Sequence, residues 1–154
     1  MKITLLGIGK TKEIWIQQGI AEYLKRLSKF GKTECIFISE SRKDNMKDII
    51  ENESQKIIEK IPKNSFCCLL DIHGEILSSE KLSKKIETWK NTAKGNHVVY
   101  IIGGAYGVSE KLKEIVDYRL SFSQMTFNHQ MIRVFLLEQV YRAFCISSGH
   151  KYHK

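Results

Sequence analysis

Apolar residues along the chain fall into two kinds of run, which alternate from one end to the other. Short continuous apolar runs bounded by glycine or polar residues predict buried strands, and apolar positions three or four residues apart predict helices. Strands are predicted at residues 3–8, 35–38, 66–71, 97–102 and 118–122. Helices are predicted at residues 13–27, 46–61, 79–93, 110–116 and 129–147.

Residues that break or cap secondary structure support these boundaries. Pro62 stops the second helix, and Gly95 closes the third. Ser109 precedes the fourth helix and has the side chain of an N-cap. After the third strand, the segment 71–74 (DIHG) predicts a turn.

The strict alternation of strands and helices indicates an α/β fold with a mostly parallel sheet and helices on both faces. A length of 154 residues corresponds to about one domain. The sequence has no repeat, linker or low-complexity segment. We therefore expect residues 1–154 to form a single domain.

The last predicted helix, 129–147, is apolar around nearly its whole circumference. A helix of this kind must be buried on all sides. In a domain this small, one face can pack on the sheet, while the other face needs a second molecule. The pattern therefore predicts a homodimer built around this helix.

Composition narrows the class of protein further. The net charge of +8 points to an acidic partner, either nucleic acid or an anionic membrane, although a generic soluble surface also accounts for it. No run approaches the roughly 20 apolar residues of a membrane span, and the apolar stretch within residues 1–9 is too short for a signal peptide. The four cysteines form no CxxC pair, so reduced thiols are expected, with no disulfide framework and no zinc site. We expect a cytoplasmic protein without a metal.

Glycines near the N-terminus imitate two nucleotide-binding motifs. Gly9-Lys-Thr11 resembles the end of a P-loop, but Thr4 stands where that motif begins with glycine. Gly7 and Gly9 resemble a dinucleotide fingerprint, but Lys12 occupies its third glycine position. A tight turn between strand and helix accounts for both glycines.

A stronger constellation lies in the C-terminal half of the chain. Leu70, Gly103-Gly104 and the segment 123–128 each follow one of the last three strands. In parallel sheets, ligands bind where such loops meet beyond the carboxyl ends of the strands. Ile102, Met125 and Phe127 would add apolar walls that suit a flat aromatic ring. Simple turns account for the same composition, so this pattern leaves both interpretations open.

Three separated segments resemble one known family in order and spacing. They are IIGGAYGVS at 101–109, LSFSQMTFNHQMIRVFLLEQVYRAF at 120–144 and GHKYHK at 149–154. LDIHG at 70–74 and the total length also agree. The chain resembles the RlmH (YbeA) family, small SPOUT-type methyltransferases of the large-subunit ribosomal RNA.

The resemblance implies a fold and an activity. The fold is an α/β trefoil knot in the C-terminal half, where the chain after the fifth strand threads through an earlier loop, an exception to the rule that chains avoid knots. The implied activity is methylation of N3 of a pseudouridine in the helix 69 stem-loop of 23S rRNA, on assembled ribosomes. The implied cofactor is S-adenosyl-L-methionine, and the implied assembly is a homodimer.

The resemblance also assigns cofactor contacts by position. They are Leu70, Gly103, Gly104, Ser123, Gln124, Met125, Thr126, Phe127 and Asn128. The sequence departs from the family pattern where Ala105, Asn128 and Lys151 replace common prolines. Asn128 can instead cap the last helix.

Methylation of a weakly acidic N–H calls for a base that titrates near neutrality, and histidine is the natural type. His129, His150 and His153 are candidates, and Arg142 and Tyr152 could orient the base or stabilise charge on it. We assign the catalytic set to His129, Arg142, Tyr152 and His153.

Each catalytic assignment has a structural alternative. His129 could cap the last helix, Arg142 could pair with Glu138 one turn earlier, and the tail 149–154 could be a frayed basic terminus. Two other functions also remain open. One is a ribosome-binding protein without catalysis, and the other is a nucleotide-binding enzyme built on residues 7–11.

Overall fold

The computed structural model describes residues 1–94 and 96–152. Five strands alternate with five helices, as the sequence pattern predicts. The strands are β1 (Lys2–Ile8), β2 (Lys32–Ile38), β3 (Phe66–Ile76), β4 (His97–Ile102) and β5 (Tyr118–Ser121). The helices are α1 (Ile14–Leu27), α2 (Met46–Lys60), α3 (Ser79–Lys90), α4 (Glu110–Ile115) and α5 (Met131–Ser147).

The strands form one sheet in the order β2-β1-β4-β3-β5, and every pairing is parallel. Strands β1 and β4 lie inside the sheet and are apolar on both faces, because helices cover both sides. The prediction of an α/β fold is confirmed, and the sheet is entirely parallel. All carboxyl ends of the strands therefore face the same edge of the sheet.

The two faces of the sheet carry separate hydrophobic cores. Helices α1, α3 and α5 cover one face, where the larger cluster includes Ile20, Trp89 and Leu136. Helices α2 and α4 cover the other face through Ile57 and Leu112. The four cysteines are unpaired thiols, and burial raises the pKa of Cys35 to about 12. No helix in the described ranges is both long and apolar enough to cross a bilayer.

Strand β3 contradicts the turn predicted at 71–74. The strand continues to Ile76, and its pairing with β5 shifts register between Leu70 and Glu75, as at a β-bulge. A Cβ at Gly74 would lie 2.7 Å from the backbone of Arg119, so only glycine permits this close approach. The turn-like sequence therefore makes a bulge inside a strand.

Several helix ends differ from the sequence prediction. Helix α3 ends at Lys90, and the predicted terminator Gly95 lies outside the described residues. Helix α2 ends at Lys60, shortly before Pro62. Ser109 caps α4 as predicted, because its hydroxyl accepts a hydrogen bond from the Leu112 amide at 3.3 Å.

Helix α5 is more completely covered within one chain than its sequence suggests. It packs on the sheet and lies between α1 and α3, so its neighbours bury three sides. Met131 and Phe135 keep 36% and 43% of their surface exposed near its N-terminus. The apolar circumference therefore reflects burial mainly within the monomer, and the homodimer stays a prediction.

Candidate active site

A cavity of about 510 Å³ opens at the carboxyl edge of β3, β4 and β5. It lies where a parallel sheet is expected to bind ligands. Three chain segments form its walls: the β3 bulge, the loop after β4 and the loop after β5. The lining residues are Leu70–His73, Ile102–Val108, Lys113, Leu120–Ser123, Met125–His129 and Ile132.

The loop after β4 brings bare backbone to the cavity wall. The Gly107 amide donates to the Gly104 carbonyl at 3.1 Å, and Gly107 has φ of 86°. A Cβ at Gly103 would lie 2.6 Å from the side chain of Val108, and one at Gly104 would overlap Glu53. The loop is therefore a turn, as its composition also allowed. In addition, Gly103 and Gly104 must be glycine, because Val108 and Glu53 leave no room for a Cβ.

The loop after β5 is held by its own polar side chains. Ser121 donates to the Ser123 carbonyl at 3.0 Å, and the Ser123 hydroxyl accepts from the Met125 amide at 3.0 Å. Met125 and Phe127 keep 74% and 40% of their surface exposed while lining the cavity. The wall on this side therefore offers apolar surface that a ligand could cover.

The expectation that Asn128 is the N-cap of α5 is wrong by position, because the N-cap is Gln130, but Asn128 holds the turn just before the helix. Its side-chain oxygen accepts from the amides of Gln130 and Met131, at 2.8 and 3.4 Å. The prediction that α5 begins at His129 is wrong by two residues, because 129 and 130 form the turn that leads into the helix. Asn128 replaces a family proline here and satisfies amides that a helix start would otherwise leave without partners.

Most predicted cofactor residues meet at this cavity. Leu70, Gly103, Gly104, Ser123, Met125, Thr126, Phe127 and Asn128 all line it. Gln124 belongs to the same loop but is not part of the described lining. The resemblance assigns Gln124 to the cofactor only through its position in the loop. The chain bends at this residue, and Gln124 is exposed.

Sequence reasoning missed the contribution of the β3 bulge. Asp71 lines the cavity and accepts from Arg119 through Oδ2, at 3.0 Å from Nε and 2.9 Å from Nη2. Its other oxygen accepts from the His73 amide at 3.0 Å. The LDIHG segment at 70–74 indicates this region, but the groups are placed by the extension of β3, which depends on its pairing with β5.

His129 is the one member of the catalytic set that the structure places at the cavity among the described residues. Its pKa is lowered from the usual value, first by burial and then by the positive charges of Arg133 and Lys12. Glu40 and Glu53 oppose part of this shift. The ring is therefore mainly neutral at pH 7 and can accept a proton.

Arg142 and Tyr152 lie elsewhere, on the outer side of α5. Arg142 pairs with Glu138 at 2.7 Å, which is the intrahelical ion pair considered as the alternative. Tyr152 donates to Glu138 at 3.3 Å, and its ring lies 4.8 Å from the Arg142 guanidinium carbon. Neither residue lines the cavity of its own chain, and His153 lies outside the described residues.

The turn between β1 and α1, whose glycines imitate a nucleotide motif, is hydrogen-bonded by a buried arginine, Arg133. Arg133 is fully buried and donates to the carbonyls of Ile8 and Gly9, at 2.5 and 2.9 Å, and to the Thr11 hydroxyl at 2.7 Å. Its guanidinium also stacks 4.2 Å from the centre of the Phe37 ring. The turn therefore presents carbonyl oxygens to a cation instead of amides to a phosphate.

The glycines of this turn have different roles. Gly9 has φ of 80°, so the prediction of a tight turn is confirmed there. Gly7 lies inside β1, against the ring of Phe37. Neither glycine forms part of the cavity lining.

Comparison with known proteins identifies the family. Residues 1–153 match the family model described as "Predicted SPOUT methyltransferase". The chain is 42% identical to the ribosomal RNA large subunit methyltransferase H of Halothermothrix orenii and 46% identical to that of Fusobacterium nucleatum, with both chains covered in full. The chain belongs to the RlmH family of SPOUT methyltransferases.

A solved structure supports the fold. A probable methylase family protein from Haemophilus influenzae superimposes with a TM-score of 0.54 at 11% identity, covering 99% of this chain and 70% of that one. The family model and the two full-length relatives confirm the resemblance inferred from three motifs.

Proposed function

We propose that this protein transfers a methyl group from S-adenosylmethionine to N3 of a pseudouridine in the helix 69 stem-loop of 23S rRNA. The substrate would be the assembled cytoplasmic ribosome. The observation that carries the proposal is the cavity, which gathers eight of the nine predicted cofactor residues in a chain of this family. Relatives that match the chain in full are named ribosomal RNA large subunit methyltransferase H.

The cavity fits the proposed cofactor in size and chemistry. Its volume of about 510 Å³ lies within the usual range for small-molecule sites. Leu70 and Ile102 offer apolar surface for an adenine ring, and Gly103 and Gly104 expose backbone that can pair with its polar edge. Bound there, the cofactor would supply a methyl group on a positively charged sulfur, which needs no metal for activation.

His129 would serve as the base for the reaction. The N3–H of a uracil-type ring must lose its proton before or during attack, and a neutral imidazole at the cavity can accept it. Burial keeps the pKa of His129 below its usual value, so the accepting form dominates at neutral pH. Asn128 supports this role indirectly, because its side-chain oxygen accepts from the Gln130 amide at 2.8 Å and so holds the turn that contains His129.

The same proposal includes a homodimer. Phe127 and Phe135 keep 40% and 43% of their surface exposed near the start of α5, and Ile14 and Trp15 keep 71% and 54% exposed at the start of α1. The two helix starts are neighbours, because the Lys12 amide donates to the Gln130 side chain at 2.9 Å. A second copy covering this surface would shield apolar area that a monomer leaves in water. It would also explain the position of Arg142 and Tyr152, since a dimer built along α5 could bring them toward the cavity of the other chain.

The positive charge of the chain supports RNA as the acceptor. With a net charge of +8, the protein would bind the phosphate backbone by displacing counterions, and ribosome affinity should fall steeply with salt. The described residues include no cluster of three or more His, Cys, Asp or Glu placed to hold a metal ion. The proposed chemistry uses none.

A direct test incubates the purified protein with labelled S-adenosylmethionine and ribosomes from cells that lack the endogenous enzyme. We expect one methyl group per ribosome, mapped to a pseudouridine of helix 69. The variant His129→Asn is the matched control and should retain cofactor binding while losing most of the transfer. Ribosome binding without cofactor binding would instead support the non-catalytic alternative.

A further inference from the structure

The described part of the C-terminal tail turns back and lies along α5, the helix that precedes it. Gly149 has φ of 69°, and the His150 amide donates to the Cys145 carbonyl at 2.9 Å. This is a Schellman motif, in which a left-handed glycine ends the helix and reverses the chain. Tyr152 thereby returns to Tyr141, and the two rings meet edge to face with their centres 4.8 Å apart.

The carboxylate of Glu138 on α5 joins the returning tail to the helix. Its Oε1 accepts from the Tyr152 hydroxyl at 3.3 Å and from Arg142, at 2.9 Å from Nε and 2.7 Å from Nη2. The guanidinium of Arg142 also lies over the Tyr152 ring, so the three side chains contact one another pairwise. The side chain of Glu138 is only 16% exposed, which shields these contacts better than an ordinary surface ion pair.

The tail also packs against α1 and the turn that follows it. The His150 ring meets the Phe30 ring edge to face, with their centres 6.3 Å apart. Burial and a hydrogen bond with Tyr152 raise the pKa of Tyr23 to about 12. These contacts with two helices give the tail one arrangement, in which Tyr152 lies beside Arg142.

We propose that Glu138 is a positioning residue, which docks the tail on α5 and fixes Tyr152 and Arg142 in one arrangement for methyl transfer. This inference rests on the proposed function, in which the cavity of a second copy receives these two side chains. Glu138 does not line the cavity of its own chain, so it acts only through its two partners. A tail that is already ordered avoids the entropy cost of ordering it when the substrate binds.

Limited trypsin digestion of the folded full-length protein, followed by intact-mass measurement, reports docking without reference to activity. Lys151 is exposed, and cleavage after it follows the fraction of molecules in which the tail is undocked. Glu138→Ala should raise this cleavage rate about tenfold, because it removes the charged acceptor of the tail. Glu138→Gln keeps an oxygen that can accept from Tyr152 and should restore most of the protection. Glu87→Ala is the matched control, since it removes an intrahelical ion pair with Lys90 on α3 that does not involve the tail.

Two further measurements separate positioning from a merely structural role. Tyr152→Phe should accelerate cleavage in the wild-type background but add little to Glu138→Ala, because the same hydrogen bond is already lost. In methylation assays with ribosomes, Glu138→Ala should lower kcat about tenfold while the KM for S-adenosylmethionine stays within about twofold. Glu138→Gln should recover most of kcat.

An unchanged cleavage rate in Glu138→Ala would overturn the proposal. Faster cleavage with an unchanged kcat would overturn it as well, because docking of the tail would then not matter to the reaction. If the alanine variant does not fold, Tyr152→Phe removes the same hydrogen bond from the other side, and cleavage at the wild-type rate would overturn the proposal by itself. If the wild type does not methylate ribosomes although its tail is protected and Glu138→Ala releases it, the proposed function fails while docking by Glu138 stands.

Discussion

Arg133 offers the sharpest test of how strongly its hydrogen bonds between α5 and the β1–α1 turn stabilise the fold. Arg133→Met removes three hydrogen bonds from a charged donor, which join α5 to the carbonyls of Ile8 and Gly9 and to Thr11. Bonds of this kind contribute about 2 kcal/mol each, or roughly 6 kcal/mol together. Burial opposes them, because it lowers the pKa of Arg133 to about 10, a shift on the order of 3 kcal/mol against the charged form. The net loss of unfolding free energy is therefore about 3 kcal/mol.

Urea denaturation followed by circular dichroism would measure this loss. Arg26→Met is the control, since it removes an arginine from α1 whose ion pair with Glu22 is exposed, with 39% and 51% of the two side chains accessible. Exposed pairs contribute about 0–1 kcal/mol, so the control should change stability little. If Arg133→Met lost less than about 1 kcal/mol, the carbonyls of the β1–α1 turn would not depend on this arginine, and the argument would be refuted.

Five further outcomes are expected. Gly104→Ala should weaken S-adenosylmethionine binding in a thermal-shift assay, because the new Cβ would displace Glu53; unchanged binding would contradict the packing argument. His129→Asn should slow methyl transfer by about 10²-fold or more in single-turnover assays while cofactor affinity stays within a few-fold. The pKa of His129 is lowered from the usual histidine value of 6.5, so the methylation rate of the wild type should fall only at a pH below 6.5, where the ring becomes protonated. Only the neutral ring accepts a proton, so a rate that does not change with pH there would exclude His129 as the base. Deleting residues 150–154 should abolish methylation but spare cofactor binding; full methylation would remove the tail from catalysis. Trp15→Glu should yield monomers of 17.9 kDa in sedimentation, and an unaltered dimer would place the interface elsewhere.

The periodicity of apolar residues was sufficient to predict all five strands, all five helices and the parallel arrangement of the sheet. These features depend on local propensity and on which residues must leave water, and both can be read from neighbouring positions. The positions of Leu70, Gly103-Gly104 and the loop 123–128 at one edge of the sheet followed from the same reasoning. The identification of these residues as a site for a methyl donor required the motif resemblance, because a glycine-rich turn can bind many kinds of ligand or none.

The site also contains features that no local pattern could predict. The DIHG segment has turn-forming residues, yet pairing with β5 carries β3 through it as a bulge and places Asp71 and His73 at the cavity. Arg142 and Tyr152 belong to the family motifs, but they lie on the outer side of α5, away from the cavity of their own chain. The distance of these two side chains from the cavity depends on how α5 packs across the sheet, which no local pattern encodes.

By itself, the sequence determined the order and type of the elements, the parallel sheet and the edge at which a ligand would bind, since each follows from hydrophobic spacing and the directionality of parallel strands. Only the tertiary structure decided the surroundings of the buried charges. Arg133 and Glu53 have side chains typical of a solvated helix surface, and both are buried against glycine-containing loops far away in the chain. Burial changes the energetic role of a charge, and burial depends on contacts between residues that are distant in sequence.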